Sequence, residues 1–162
     1  MRKIPIQCIL SIITLILLSF LLNGCKNYEA KKHYNLAKKL KEEGKFEEAI
    51  KEYKASIKSN PNNPKTYYRV GQLYLKMDKY DEAIEYFGLS LKIDPSRGDC
   101  YKNLANAYIA KGEKDKAIAT CERALTNTDD IKIKDELKKL SQQLIDESQK
   151  EQEEKLKSKE QE

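Results

Sequence analysis

The sequence predicts an all-α protein, an α-solenoid of three helix-turn-helix repeats with a C-terminal capping helix. Three observations predict it. Residues of one kind recur every 34 positions: Ala49, Ala83 and Ala117; Leu40, Tyr74 and Tyr108; Leu36, Val70 and Leu104. Within each copy, apolar residues recur at three and four, the period of one helix face. Pro61 and Pro95 close the first two copies. A fixed period of this length marks stacked supersecondary units, none able to bury its apolar face alone. Such an array presents a surface rather than enclosing a catalytic pocket.

Residues 1–24 stand outside the repeats. Arg2 and Lys3 form a short positive head, and an apolar run follows from Ile9 to Leu22, broken only by Ser11, Thr14 and Ser19. That order reads as a secretory signal. The run also overlaps the lower range of a membrane span, so an uncleaved anchor is the alternative. Leu22-Asn23-Gly24-Cys25 comes next and resembles a bacterial lipobox. An aliphatic residue lies three places before the cysteine and a small residue just before it, while Asn23 stands where that family usually has a small residue. The resemblance implies that the Cys25 thiol takes a diacylglycerol, that cleavage follows, and that the new N-terminus is acylated. Each buried acyl methylene then contributes about 0.8 kcal/mol to membrane attachment. On this reading residues 1–24 are a lipoprotein signal peptide and 25–29 a linker to the lipid anchor, with the domain on the exported side of a bacterial cell envelope. The plainer reading is a chance cysteine after a spanning helix.

Residues 30–131 hold the repeats, at 30–63, 64–97 and 98–131. In the second copy the first helix is expected from Pro64 to about Met77, with Tyr67, Val70, Gly71 and Tyr74 on one stripe. Pro64 suits a first helical turn, where its missing N–H is not needed. Asp78-Lys79 turns the chain. The second helix is expected from Tyr80 to Ile93, burying Ala83, Ile84, Phe87 and Leu91. Asp94-Pro95 ends it, because a residue before proline avoids the helical region. Ala37, Gly71 and Ala105 on the first helices face Ala49, Ala83 and Ala117 on the second, where helices approach closely. Larger residues, among them Leu36, Tyr53, Phe87, Tyr101 and Leu104, fill the spaces between.

After the third copy, Ile133, Leu137, Leu140 and Leu144 continue at spacings of four, three and four. This amphipathic helix, 132–145, is expected to cover the open end of the last repeat. Residues 146–162 are almost all Glu, Gln, Lys or Ser and are expected to form a charged flexible tail or frayed helix.

Without residues 1–24 the chain is still one domain's worth, with 29 basic and 26 acidic side chains. That mild, mixed charge carries no nucleic-acid signature. Cys100 and Cys121 both fall in the third copy. They read as small core residues, with a disulfide as the alternative in an exported domain. His33 is the only histidine, so no four-ligand metal set is expected. There is no Gly-rich phosphate loop, no Gly-x-Ser-x-Gly and no His-Glu-x-x-His. The expectation is a protein that is not an enzyme and carries no cofactor.

The repeats resemble the tetratricopeptide repeat. That family has an aromatic early in the first helix, then Leu-Gly, then Tyr, and later Ala, an aromatic, Ala and Pro. The second copy matches through Tyr67, Val70-Gly71, Tyr74, Tyr80, Ala83, Phe87 and Pro95. The first copy departs at His33 and Ser56; the third departs at Lys114, Cys121 and Asp129. The resemblance implies a concave side lined by the first helices, where extended peptides bind. The outward ladders there are Tyr34, Tyr68 and Lys102; Lys38, Gln72 and Asn106; Lys31, Lys65 and Asp99; and Asn35, Arg69 and Asn103. Tyr34 and Tyr68 supply contact area at small entropy cost. The lysines and Arg69 would make the groove basic and suit an acidic peptide or a free carboxyl end. The plainer reading has the tyrosines packing on the next helix and the lysines forming a solvated face. Some family members clamp a C-terminal carboxylate with residues spread over three repeats; Lys102 and Asn106 reproduce only the first pair.

The resulting expectation is a membrane-anchored scaffold or assembly factor whose partner is a peptide or an envelope-complex subunit. The alternatives are a self-associating structural oligomer and a single-pass protein with a permanent N-terminal span.

Overall fold

The computed structural model describes residues 6–159, and among them the chain is helical with no strand. The helices are α1 (Ile6–Glu42), α2 (Phe46–Ser59), α3 (Pro64–Lys76), α4 (Tyr80–Ile93), α5 (Gly98–Ala110), α6 (Lys114–Asn127) and α7 (Ile131–Lys159). The positive head at Arg2 and Lys3 lies outside the described residues, as do most side chains of the apolar run. Among the described residues no helix is long and apolar enough to cross a membrane. The chain divides into two compact units, Met1–Asn62 and Asn63–Glu162.

The turns explain the period. Two places beyond the end of each first helix stands a residue with positive φ, Gly44 at 79°, Asp78 at 55° and Gly112 at 80°. These three positions share one place in the repeat. The next N–H reaches back to the last turn of the helix: Lys45 to the Leu40 carbonyl at 2.9 Å, Lys79 to Tyr74 at 2.9 Å, and Glu113 to Tyr108 at 2.8 Å. This left-handed cap satisfies the last carbonyls of a helix and reverses the chain. Glycine adopts it without steric cost, and aspartate is among the few other residues that tolerate it.

In the first unit α1 pairs with α2. Ala30, Ala37, Ala49, Ile50 and Tyr53 are buried between them. The buried Ser56 hydroxyl donates to the Ala30 carbonyl at 2.8 Å. Ser90, at the matching place in the next copy, donates to the Pro64 carbonyl at 2.9 Å. Ser56, a departure from the repeat pattern, therefore ties the end of α2 to the body of α1, as Ser90 ties the end of α4 to the first turn of α3. Leu36 departs from its expected core place and is 45% exposed, whereas Val70 and Leu104 at the matching places are buried.

In the second unit α3 pairs with α4 and α5 with α6. α5 packs against α4 and α3, and α7 packs in the same way against α6 and α5. α7 thus occupies the place that a fourth first helix would take. Leu137 and Leu144 are buried, and Ile133 and Leu140 are partly so, as the stripe predicts. The helix does not stop at 145. It continues to Lys159, so the described part of 146–162, expected as a flexible tail or a frayed helix, is helical. Lys114 at the start of α6 accounts for part of this, with its Nζ 2.5 Å from Glu151 and 3.7 Å from Glu147. Good helix formers, Glu, Gln and Lys, supply the rest.

Phe87, fully buried, sits directly over Gly71: a Cβ at Gly71 would lie 2.7 Å from the ring's Cδ1 and Cε1. Gly88, beside it in α4, faces open space. Gly71→Ala should therefore lower stability by about 1–3 kcal/mol through overpacking. Gly88→Ala should raise it by up to about 1 kcal/mol through helix propensity. Urea denaturation followed by circular dichroism distinguishes them, and equal midpoints would remove the close crossing as a constraint.

Candidate functional site

The first helices carry the residues singled out for binding, and their places differ. In the first unit Lys31 and Lys38 are exposed on α1, with Lys38 3.9 Å from Glu42. Tyr34 is half-buried, its ring edge-on to the buried Tyr53 at 5.3 Å. It serves the α1–α2 packing more than an open groove. His33 Nδ1 lies 2.6 Å from the Glu52 carboxylate and bridges the same two helices.

In the second unit Tyr68 corrects the sequence reading. It is only 6% exposed, lies in the core and stacks at a tilt on Phe87 at 5.9 Å. Its ring is core, but its hydroxyl is the centre of a polar cluster. Gln72 Nε2 donates to it at 2.9 Å and Asn103 Nδ2 at 2.9 Å. Arg69 Nη1 donates to Gln72 Oε1 at 2.8 Å. Asn103 is steadied by a second bond to the Asp99 carbonyl at 2.9 Å. The guanidinium groups of Arg69 and Arg97 lie 5.7 Å and 5.5 Å from the Tyr68 ring centroid, within cation–π range. Arg97 is also 3.4 Å from Asp99 and 3.6 Å from Asp94, and its buried Nε makes no hydrogen bond. α3 and α5 thus join Tyr68, Arg69, Gln72 and Asn103 in one network. Sequence reasoning missed Arg97. Its place just before α5 lies outside the helical ladders, and no spacing signalled it.

Lys102 and Asn106 face α7 rather than an open groove. Lys102 Nζ donates to Glu136 at 2.5 Å and holds that carboxylate below its usual range. Both residues line a 410 Å³ recess whose other wall is Leu137, Leu140 and Gln143 of α7. Lys65 is exposed at the start of α3, where the Asn63 side chain caps its N–H at 3.2 Å.

Cys100 and Cys121 are buried and unbridged. Burial pushes their thiols up to about 12 and about 11, so neither is a thiolate near neutral pH. Cys25 is exposed. Among the described residues no group of His, Cys, Asp and Glu is placed to hold a metal ion.

Helix hairpins repeated at a fixed period, with a small residue at each crossing, define a class of interaction scaffold. The chain belongs to the tetratricopeptide repeat proteins. Models of that repeat match residues 37–78, 64–97 and 100–133, and the fold is an all-α tetratricopeptide solenoid. A search of curated protein sequences finds no match. Among solved structures, the TPR2B domain of yeast Sti1, in complex with pHsp70, is 22% identical with a TM-score of 0.66, covering 74% of this chain and 98% of that one. The first such domain of Spaghetti (RPAP3), bound to the HSP90 peptide SRMEEVD, is 24% identical with a TM-score of 0.63, covering 74% and 95%. At these identities the likeness is one of fold. MamA protein is 26% identical with a TM-score of 0.60 over 63% of this chain, which spans 55% of the MamA chain.

Burial first, and the Asp99 charge second, push the Tyr68 phenol from 10.0 up to about 12. A raised folded-state value means that the fold binds this proton more tightly than the unfolded chain does. The stabilisation is present in full below pH 10 and is lost as pH rises towards 12. In an ultraviolet titration one of the ten tyrosines should ionise only near pH 12. Tyr68→Phe should abolish that late step; its persistence in the variant would assign the step to another tyrosine.

Proposed function

We propose that the chain is a membrane-anchored tetratricopeptide scaffold of the bacterial cell envelope, held by lipid on Cys25 and binding an acidic segment of a partner protein. The observation that carries this reading is the direct succession of an apolar run, Gly24-Cys25 and three repeat copies in one chain. An exposed cysteine at that place suits acylation. The α3–α5 surface suits the partner. Arg69 is oriented by Gln72, which is itself held by the buried Tyr68 hydroxyl. A guanidinium oriented in this way can meet a carboxylate with little entropy left to lose. Relatives in fold were solved with an HSP90 peptide and with pHsp70, which supports a protein ligand without naming this one.

A self-associating structural role is the second reading, favoured by the exposed Leu36. Light scattering reads it directly, and a monomer at tens of micromolar disfavours it.

Two measurements test the main reading. Metabolic palmitate should label the chain and be lost in Cys25→Ser; label that persists, or never appears, removes the lipid anchor. Arg69→Glu should release partners captured by the wild type, reducing affinity at least tenfold, about 1.4 kcal/mol. Unchanged capture would move the binding surface elsewhere.

A further inference from the structure

The charge of this chain is unevenly placed. Residues 26–41 hold six lysines and one glutamate, whereas residues 42–162 hold 23 basic and 25 acidic side chains. The whole positive excess of the chain after Cys25 therefore lies in the α1 segment that follows it. The structure puts most of it on one face. Ala30 and Ala37 are buried against α2. Lys31, Lys32, Lys38 and Lys39 fall within an arc of about 120° on the opposite side of the helix, and all four are exposed. Tyr28, 69% exposed, and Asn35 lie in the same arc. Tyr28, Lys31, Lys32 and Asn35 line a shallow recess of 360 Å³. Three acidic neighbours share this region, Glu29 and Glu43 beside the face and Glu42 within its arc at the end of α1. Glu29, Glu42 and Glu43 are 3.9 Å, 3.9 Å and 4.0 Å from Lys32, Lys38 and Lys39, all solvent-exposed pairs that contribute little.

We infer that this face of α1 binds an anionic lipid surface. The inference rests on the anchor reading, because Cys25 must lie at a bilayer for the face to meet one. From Cys25 to Lys39 the helix rises only about 20 Å, so all four lysines stay within reach of headgroups when the helix lies along the surface. A basic cluster beside an anchor adds electrostatic attraction to anionic headgroups and favours the helix lying along the surface. An exposed tyrosine on the same face suits the interface, where its ring meets the acyl boundary and its hydroxyl the water. Lys31 and Lys38, read from sequence as groove residues, belong on this account to the membrane face.

The chain contains no tryptophan, so Tyr28→Trp introduces a single reporter at an exposed site. The full chain carrying it is reconstituted into vesicles of phosphatidylcholine alone or with phosphatidylglycerol. The expected result is a blue-shifted emission and protection from acrylamide only with phosphatidylglycerol. Both effects should be lost at about 1 M salt, where screening falls to about 3 Å. Lys31→Glu, Lys32→Glu, Lys38→Glu and Lys39→Glu together should abolish them at unchanged helicity, and the salt series stands should that variant misfold. Identical emission in the two vesicles overturns the inference. So does an indole that stays wet on both vesicles yet is shielded by added polyglutamate, which would make the face a protein site. Palmitate labelling of the same preparation reads the anchor separately. Labelled chain without the shift overturns only the face, and a shift without label overturns only the anchor.

Discussion

The close crossing of paired helices is the constraint on which the rest depends. A helix backbone can lie against its neighbour only where one side chain is absent or nearly so. Gly71 under Phe87 is such a point, with space for a ring and none for a methyl. Ala37, Ala49, Ala83, Ala105 and Ala117, all fully buried, hold the corresponding places. Once the crossings are fixed, the connection must reverse the chain within a very short turn. That requires a left-handed residue at 44, 78 and 112. Crossing and turn together impose the repeat period, which is a geometric necessity before it is a family mark.

What could be read from sequence follows this logic. The second helix of the second copy was legible to the residue, Tyr80–Ile93, because Asp94-Pro95 stops it and a tight turn starts it. The stripe of α7 was legible from spacing alone. Its end was not, since Glu, Gln, Lys and Ser without apolar residues suit both a solvated helix and a disordered tail, and what separates them here includes Lys114 of α6 reaching two glutamates of α7. Leu36 shares its register with Val70 and Leu104, so periodicity placed it in the core. Periodicity cannot tell an inner copy from the first one.

The binding surface was the least legible part. Tyr68 was placed outside the core because the repeat pattern assigns no aromatic to its position, and its ring is nonetheless core. A tyrosine satisfies both descriptions, since it buries a ring and still demands hydrogen bonds at its tip. The demand gathers Gln72 and Asn103, and through Gln72 it fixes Arg69. The residues chosen from sequence at 69, 72 and 103 are therefore held together, but by a buried hydroxyl rather than by an open aromatic ladder. Lys102 and Asn106 were chosen on the same rule and face α7 instead, because the helix that closes the array also occupies the last first-helix surface.

The same architecture explains why overall charge misleads. A solenoid has two faces and two ends, and each can carry its own electrostatics while the sum stays near neutral. Acidic and basic side chains offset one another across residues 42–162, pairing between elements at Lys102–Glu136, Lys111–Asp81 and Lys114–Glu151. Lys102–Glu136 and Lys114–Glu151 join the last repeat to its closing helix, and Lys111–Asp81 joins it to the repeat before; as exposed pairs each contributes little to stability. Among the described residues, the acidic groups that reach Lys32, Lys38 and Lys39 come from the same stretch of chain. The charge that is not cancelled in this chain therefore lies on α1. The same helix carries Cys25, so the uncancelled charge and the proposed site of attachment fall on the same few turns.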